Sequence, residues 1–276
     1  MTVGIVGLGL IGGSFAKAYS AAGWTVLGLD RDERTFGFAS LSGAVSRPLT
    51  DADIPSCDLI LVCLYRGAAA AFIEEKAPLF GSRPLVIDCC GTKRLITETG
   101  FRAAKEYGFT YLGGHPMAGT QYSGFKYSRA NLFSGAPMVI VPPDFGDIAL
   151  LGKAKELLAP AGFGSITVSD AARHDRMIAF TSALAHVVSS AYIKSPTSAD
   201  RKGYSAGSYR DMTRVAYMNP DMWSELFLDN SDNLINEIDC LIDNLSAYRD
   251  ALKAGDREEL RRLIAEGKAK KEEADR

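Results

Sequence analysis

The opening thirty residues restrict the fold of this chain more than any other stretch. Thr2-Val3-Gly4-Ile5-Val6 is a short apolar strand that runs directly into Gly7-Leu8-Gly9-Leu10-Ile11-Gly12-Gly13-Ser14 and then into a helical pattern through about Ala22. In a G-x-G-x-x-G loop between strand and helix, the first glycine permits a tight turn and the second lets backbone approach a pyrophosphate. The third lets the helix pack close to the strand. Phosphates then meet the free N–H groups and the positive dipole end of the helix. Gly7, Leu8, Gly9, Leu10, Ile11 and Gly12 are therefore candidate cofactor contacts. A second strand, Thr25-Val26-Leu27-Gly28-Leu29, ends in Asp30, eighteen residues past Gly12. A carboxylate there accepts bonds from ribose hydroxyls and repels a 2'-phosphate, which selects NAD over NADP. Arg31 works against that choice by offering a cation to such a phosphate. The other use of Asp30 is as a helix cap before Arg31-Asp32-Glu33.

The same grammar continues. Apolar strands at Leu59 to Leu64 and Leu85-Val86-Ile87-Asp88 alternate with helical segments at Ala68 to Leu79 and Lys93 to Tyr107, the signature of a parallel sheet covered by helices on both faces. Cys63 and Leu64, where the third strand ends, join the candidate cofactor contacts. Strands at Ala136 to Val141 and Gly164 to Val168 flank a helix from Asp147 to Leu158 and extend the sheet. Composition then changes near Ser169-Asp170. The expected organisation is an α/β, Rossmann-type NAD-binding domain over residues 1–169, with a mostly parallel sheet, followed by an all-helical domain over residues 170–276.

In the second half, Met177, Phe180, Leu184, Val187, Val188 and Ala191 form one apolar helical stripe, with Ser182, His186 and Ser189 opposite. His186 either satisfies itself inside a helix bundle or points into a polar cleft. His174, among Arg173, Asp175 and Arg176, reads as a surface residue. Asn219-Pro220 starts a long helix with asparagine as cap and proline in its first turn. Trp223, Phe227, Leu234, Ile238, Leu241, Leu245, Tyr248 and Leu252 recur along it as one apolar face. Asp256 and Glu259 form a capping box for a final helix, whose Lys- and Glu-rich end from Lys268 to Arg276 reads as solvated. These apolar faces exceed what about 100 residues readily bury, so a homodimer through the helical half is expected.

The third histidine, His115, follows the short strand Phe109 to Leu112 within Gly113-Gly114-His115-Pro116-Met117-Ala118-Gly119-Thr120. Glycines and proline there predict irregular backbone at the carboxyl edge of the sheet, where open α/β sheets place ligands. A neutral imidazole in that place can accept a proton near pH 7; the plain alternative is a loop histidine bonded to a carbonyl. A net charge of −2 leaves no basic field for nucleic acid or an anionic membrane. No apolar run approaches the roughly 20 residues that span a bilayer and the N-terminus carries no secretory pattern, so a cytoplasmic protein is expected. Five cysteines, at 57, 63, 89, 90 and 240, fit neither a disulfide framework nor a zinc site, and no metal is expected.

The ordered set Gly7 to Ser14, His115-Pro116-Met117-Ala118-Gly119-Thr120, Tyr122-Ser123-Gly124, Asp211-Met212-Thr213-Arg214 and Asn219-Pro220-Asp221-Met222-Trp223 resembles the prephenate/arogenate dehydrogenase family of tyrosine biosynthesis over residues 1 to about 250. The resemblance implies an NAD(P)-binding domain, a helical dimerisation domain, and an active site between them that oxidatively decarboxylates a cyclohexadienol. It implies that His115 is the catalytic histidine, that Arg214 binds a substrate carboxylate, that His186 is a further active-site histidine and that Trp223 lies near them. Thr120, Gln121, Tyr122 and Thr92 are the remaining candidate substrate contacts. Lys93 matches the lysine that ends the family's Asp-x-x-Ser-x-Lys pattern. Gly91 stands where that pattern has serine, so a hydroxyl expected to orient the catalytic histidine is missing, and Thr92 or a water is the expected substitute. No regulatory module is expected after the last helix.

The substrate is expected to be prephenate rather than arogenate, because no acidic residue between His115 and Lys126 could pair with arogenate's ammonium. A 3-hydroxy acid dehydrogenase would need an essential lysine in the helical half, where Lys194 and Lys202 are the candidates without a motif. A non-enzymatic NAD-binding sensor would need neither His115 nor Arg214.

Overall fold

The computed structural model describes residues 1–276. It opens with β1 (Thr2–Val6), which leads through the glycine loop into α1 (Leu10–Ala21). Then follow β2 (Thr25–Leu29), α2 (Glu33–Leu41), β3 (Arg47–Pro48), β4 (Leu59–Val62), α3 (Arg66–Phe80), β5 (Leu85–Asp88), α4 (Arg94–Tyr107), β6 (Thr110–Pro116), β7 (Pro137–Val141), α5 (Ile148–Leu158) and β8 (Ser165–Val168). They form one eight-stranded sheet in the order β3-β2-β1-β4-β5-β6-β7-β8. Alternate side chains of β4 enter opposite layers: Leu59 and Leu61 pack with Phe15, Tyr19 and Phe133, whereas Ile60 and Val62 pack with Ile73, Phe80 and Ile96. A strand buried on both faces must be apolar throughout, which is why Leu-Ile-Leu-Val reads as an unbroken run rather than an alternation.

The two-residue edge strand β3 is too short to show a sequence period. A larger departure concerns the stretch around His115. The expected irregular loop is strand: β6 continues through Gly113, Gly114, His115 and Pro116, which pair antiparallel with Val141, Ile140, Val139 and Met138 of β7. Every other strand pairing is parallel. The glycines serve proximity rather than irregularity. A Cβ on Gly114 would stand 2.5 Å from the Asp88 carbonyl oxygen, and one on Gly113 would stand 2.6 Å from the Thr97 side chain.

The helical half begins with α6 (Ala171–Ile178), a π-helical segment (Ala179–Leu184) and α7 (Ala185–Ile193), continuous along one rod. It continues with α8 (Gly207–Thr213), α9 (Pro220–Asp229), α10 (Ser231–Ala254) and α11 (Arg257–Ala274). Asn219 caps α9 and Asp256 caps α11, each side chain accepting from the backbone N–H three residues on. The π segment disturbs the expected apolar stripe. Met177 and Phe180 are 48% and 58% exposed, while Leu184 packs with Ala183 and Leu234 in a small core. One π turn sets the later residues back by about one residue, roughly 100° around the axis. The expected single helix from Pro220 to Leu252 is also divided at Asn230, whose backbone (φ −130°, ψ 31°) is not helical. The buried Asn230 side chain donates to the Asp175 carbonyl at 2.7 Å and accepts from Arg94 Nη2 at 3.0 Å, long-range bonds that a straight helix would forgo. No helix is long and apolar enough to cross a membrane.

Candidate active site at the carboxyl edge of the sheet

Because β1, β4, β5 and β6 are mutually parallel, their carboxyl ends share one edge. The glycine loop, Cys63-Leu64, Cys89 to Lys93 and His115 therefore converge there. Gly7 has φ +86°, and a Cβ on it would lie 2.6 Å from the Cys63 carbonyl oxygen and 2.8 Å from Leu64. A Cβ on Gly12 would collide with the Gly7 carbonyl oxygen, whereas one on Gly9 would meet nothing within 4 Å. Gly9 thus faces open space at the N-terminus of α1, the place where a pyrophosphate would lie against backbone N–H groups. The site fits a dinucleotide on this geometry. Asp30 is not the helix cap, since Asp32 caps α2 by accepting from Arg34 N at 3.0 Å. Asp30 instead accepts from Leu8 N at 2.7 Å and Asp32 N at 2.9 Å. A carboxylate has about four lone-pair positions, so acceptor capacity remains for ribose hydroxyls. Arg31 is exposed at the same strand end.

Beneath the edge lies a wholly buried ion pair. Lys93 Nζ bonds Asp88, and both side chains are inaccessible to solvent. Asp88 also accepts from Tyr111 Oη at 2.7 Å, Cys90 N at 2.9 Å and Gly114 N at 3.2 Å. The pairing explains why Asp and Lys close the Asp88 to Lys93 turn.

His115 projects from β6 above this pair, and its partner is a residue expected on the surface. His174 is 3% exposed; its Nε2 lies 2.9 Å from His115 Nδ1, and its Nδ1 lies 2.8 Å from Asp175 Oδ1. Tertiary packing overrode the charged neighbourhood: Arg173 and Arg176 face outward while His174 and Asp175 face the sheet. Asp175 also accepts from Lys93 N at 2.6 Å and Arg94 N at 3.0 Å. Burial, then the neighbouring His174 and Lys93, push the His115 pKa well below its ordinary value, so its ring is neutral at pH 7. Burial likewise lowers that of His174, against the opposing pull of Asp175. Asp175 has its pKa raised by burial, but the bonds from His174, Arg94 and Lys93 outweigh this and hold it below the ordinary carboxylate value.

The space at Gly91 is filled from the helical half, since a Cβ there would stand 2.9 Å from Leu226 Cδ2. Thr92 does not substitute for the missing serine: its hydroxyl is buried and bonds nothing. His186 belongs to a second cluster. Its Nδ1 donates to the Ser182 carbonyl at 2.8 Å, its ring lies 3.9 Å from that of Trp223, and burial followed by the Arg214 charge lowers its pKa. His174 and His186 stand twelve residues apart on one rod, about 18 Å by helical rise. An unbroken α-helix would set them about 120° apart; the π setback reduces this to about 20°, placing both on one face. Thr120, Gln121 and Tyr122 lie on the exposed loop that leaves β6, where Tyr122 stacks on Tyr127 at 4.6 Å. Lys194 and Lys202 are exposed after α7.

A dinucleotide loop, a neutral histidine at the sheet edge and an appended helical domain define a two-domain nicotinamide-dependent dehydrogenase. Residues 15–167 match the prephenate dehydrogenase nucleotide-binding domain and residues 170–266 the prephenate dehydrogenase dimerization domain; the chain belongs to the prephenate dehydrogenase family. It is 29% identical over 265 residues to the cyclohexadienyl dehydrogenase of Zymomonas mobilis, covering 92% of this chain and 89% of that one. The crystal structure of Synechocystis arogenate dehydrogenase superposes with a TM-score of 0.81 at 26% identity, covering 99% of this chain and all of the other. The prephenate dehydrogenase of A. aeolicus, solved with hydroxyphenyl propionate and NAD+, superposes with a TM-score of 0.84 at 25% identity, covering 99% and 98%.

Proposed function

We propose that this chain is an NAD-dependent prephenate dehydrogenase that converts prephenate, by oxidative decarboxylation, to 4-hydroxyphenylpyruvate. The observation that carries the reading is a neutral, anchored His115 at the same sheet edge as the glycine loop. His115 takes the proton from the ring carbinol oxygen, breaking the O–H bond as the carbinol carbon gives up its hydrogen with both bonding electrons. Gly7 to Gly12 and Asp30 would hold NAD, with Cys63 and Leu64 as further contacts, and the bound cofactor would supply the acceptor for that hydride. The ring carboxylate then leaves as carbon dioxide, and its bonding pair completes the aromatic ring. Arg214 grips a substrate carboxylate with its two-pronged guanidinium. His186 and Trp223 form a wall beside it, and Thr120, Gln121 and Tyr122 border the pocket, whereas Thr92, expected among these contacts, is buried away from it. Prephenate is favoured because the segment from His115 to Lys126 offers a cation, Lys126, and no carboxylate for an amino group.

The functional unit we propose is a cytoplasmic homodimer. The helical half by itself fully buries few apolar side chains, with a small cluster of Ala183, Leu184 and Leu234 besides Ala179 and Ala251, and leaves Ile235, Ile242, Leu245 and Leu252 of α10 between 53% and 65% exposed. Those positions recur at helical spacing as one apolar stripe, which a second copy would cover.

NADH absorbance on mixing protein, NAD and prephenate tests the activity, with arogenate in parallel. NADH and 4-hydroxyphenylpyruvate in equal amounts are expected. Faster turnover of arogenate would transfer the assignment to that substrate, and no NADH with either would refute it. Asp30→Ala should weaken NAD use and narrow the preference over NADP; equal efficiency with both cofactors in the unmutated chain would refute the preference.

A further inference from the structure

The missing hydroxyl at Gly91 leaves open what fixes the proton on His115, and three side chains in line answer it. We propose that His174, itself oriented by Asp175, is the positioning residue for His115: it accepts the His115 Nδ1–H and so leaves the Nε2 lone pair facing the substrate. This rests on His115 being the proton acceptor.

The assignment follows from counting donors. Asp175 receives Lys93 N on Oδ1 and Arg94 N and Nε on Oδ2, so it is an ionised, acceptor-only group. His174 Nδ1, 2.8 Å from Oδ1, must then carry a proton. A neutral imidazole holds one proton, so His174 Nε2 is an acceptor, and His115 Nδ1 at 2.9 Å is the donor. The reverse arrangement, with His174 donating, would need a buried imidazolium. Burial and the Lys93 ammonium both disfavour that cation. The remaining charged groups packed around the two rings are Asp88 and Arg94, each already engaged, with Lys93 and Asp175 respectively.

The line also serves the reaction. When the carbinol proton reaches Nε2, His115 becomes a cation whose Nδ1–H still points at the His174 lone pair. The Asp175 carboxylate lies behind His174 and stabilises that charge through the two bonds. Neither Thr92, whose hydroxyl bonds nothing, nor Gly91 can do this. Leu226 fills the place a serine would take.

The test uses full-length protein labelled with 15N-histidine, in which the chain's three histidines give a readable set of ring-nitrogen signals. His115 is expected as the Nδ1–H tautomer, with and without NAD, and is expected to lose that preference in His174→Asn, whose amide is too short to reach it. His174→Asn should lower kcat with prephenate by about 10²-fold or more, with KM within about threefold. His174→Gln, which can place an oxygen where Nε2 stood, should recover at least tenfold of the loss. His115 carrying its proton on Nε2 in the unmutated protein would overturn the proposal, as would His174→Asn with unchanged turnover or a Gln variant no better than Asn. If His174→Asn does not fold, the wild-type tautomer and the Gln variant decide. A protein inactive on both cyclohexadienyl substrates would sink the functional reading, and the tautomer of His115 would then decide between this hydrogen-bond line and its reverse.

Discussion

Lys93→Met removes one half of the buried pair beneath the active site while keeping most of the side-chain volume. Asp88 would retain three donors, Tyr111 Oη, Cys90 N and Gly114 N, at 2.7 to 3.2 Å. Its charge would nevertheless remain buried with no cation. Breaking a fully buried pair by deleting one partner costs about 3–5 kcal/mol, and the surviving donors place this case toward the lower end, about 3 kcal/mol. Asp88→Asn should cost a similar amount by stranding the ammonium. The double variant should lose less than the sum, with a coupling of about 2 kcal/mol, because neither charge is then stranded. Urea unfolding at fixed protein concentration measures all three. A second readout follows from the same ammonium, which helps hold the His115 pKa down. In Lys93→Met the acid limb of the kcat/KM profile should move to higher pH. A single-variant loss below about 1 kcal/mol, or strictly additive costs, would refute the account of the pair as the anchor of this edge.

His115→Asn should lower kcat by about 10²- to 10⁴-fold with substrate affinity largely kept, whereas Arg214→Ala should chiefly raise KM; initial rates distinguish them, and near wild-type turnover in the first would remove His115 from the chemistry. Ile242→Glu, on the exposed stripe of α10, should shift the chain from dimer to monomer by light scattering at micromolar concentration, and a dimer unaffected by it would place the interface elsewhere. All three histidines have folded pKa values below the ordinary one, first because of burial. The unfolded chain therefore binds protons more readily below about pH 6.5, so stability is complete above that value and declines as pH falls toward the folded pKa values. Tm should drop between pH 7.5 and 5.5, and a Tm that stayed level or rose would contradict the burial of these rings.

The sequence by itself determined what local chemistry decides. Gly7 needs a positive φ and Gly12 has no room for a side chain, so the loop between β1 and α1 was legible from residue type and spacing. The unbroken apolar runs of β1, β4 and β5 announced a parallel sheet buried on both faces, and the caps at Asn219 and Asp256 use bonds that span three residues. Tertiary structure decided what depends on distant partners. Gly113 to Pro116 became strand because β7 supplies antiparallel bonds that no local pattern encodes. His174 left the surface because Asp175 bonds its ring and is itself held by the Lys93 and Arg94 backbone N–H groups, which outweighs the charged residues on either side of it. Asn230 interrupted a periodic helix because its side chain bonds Arg94 and the Asp175 backbone. The π turn that brings His174 and His186 onto one face leaves no mark in a sequence read at 3.6 residues per turn, and only the fold shows its Ala183 and Leu184 packed against Leu234 of α10.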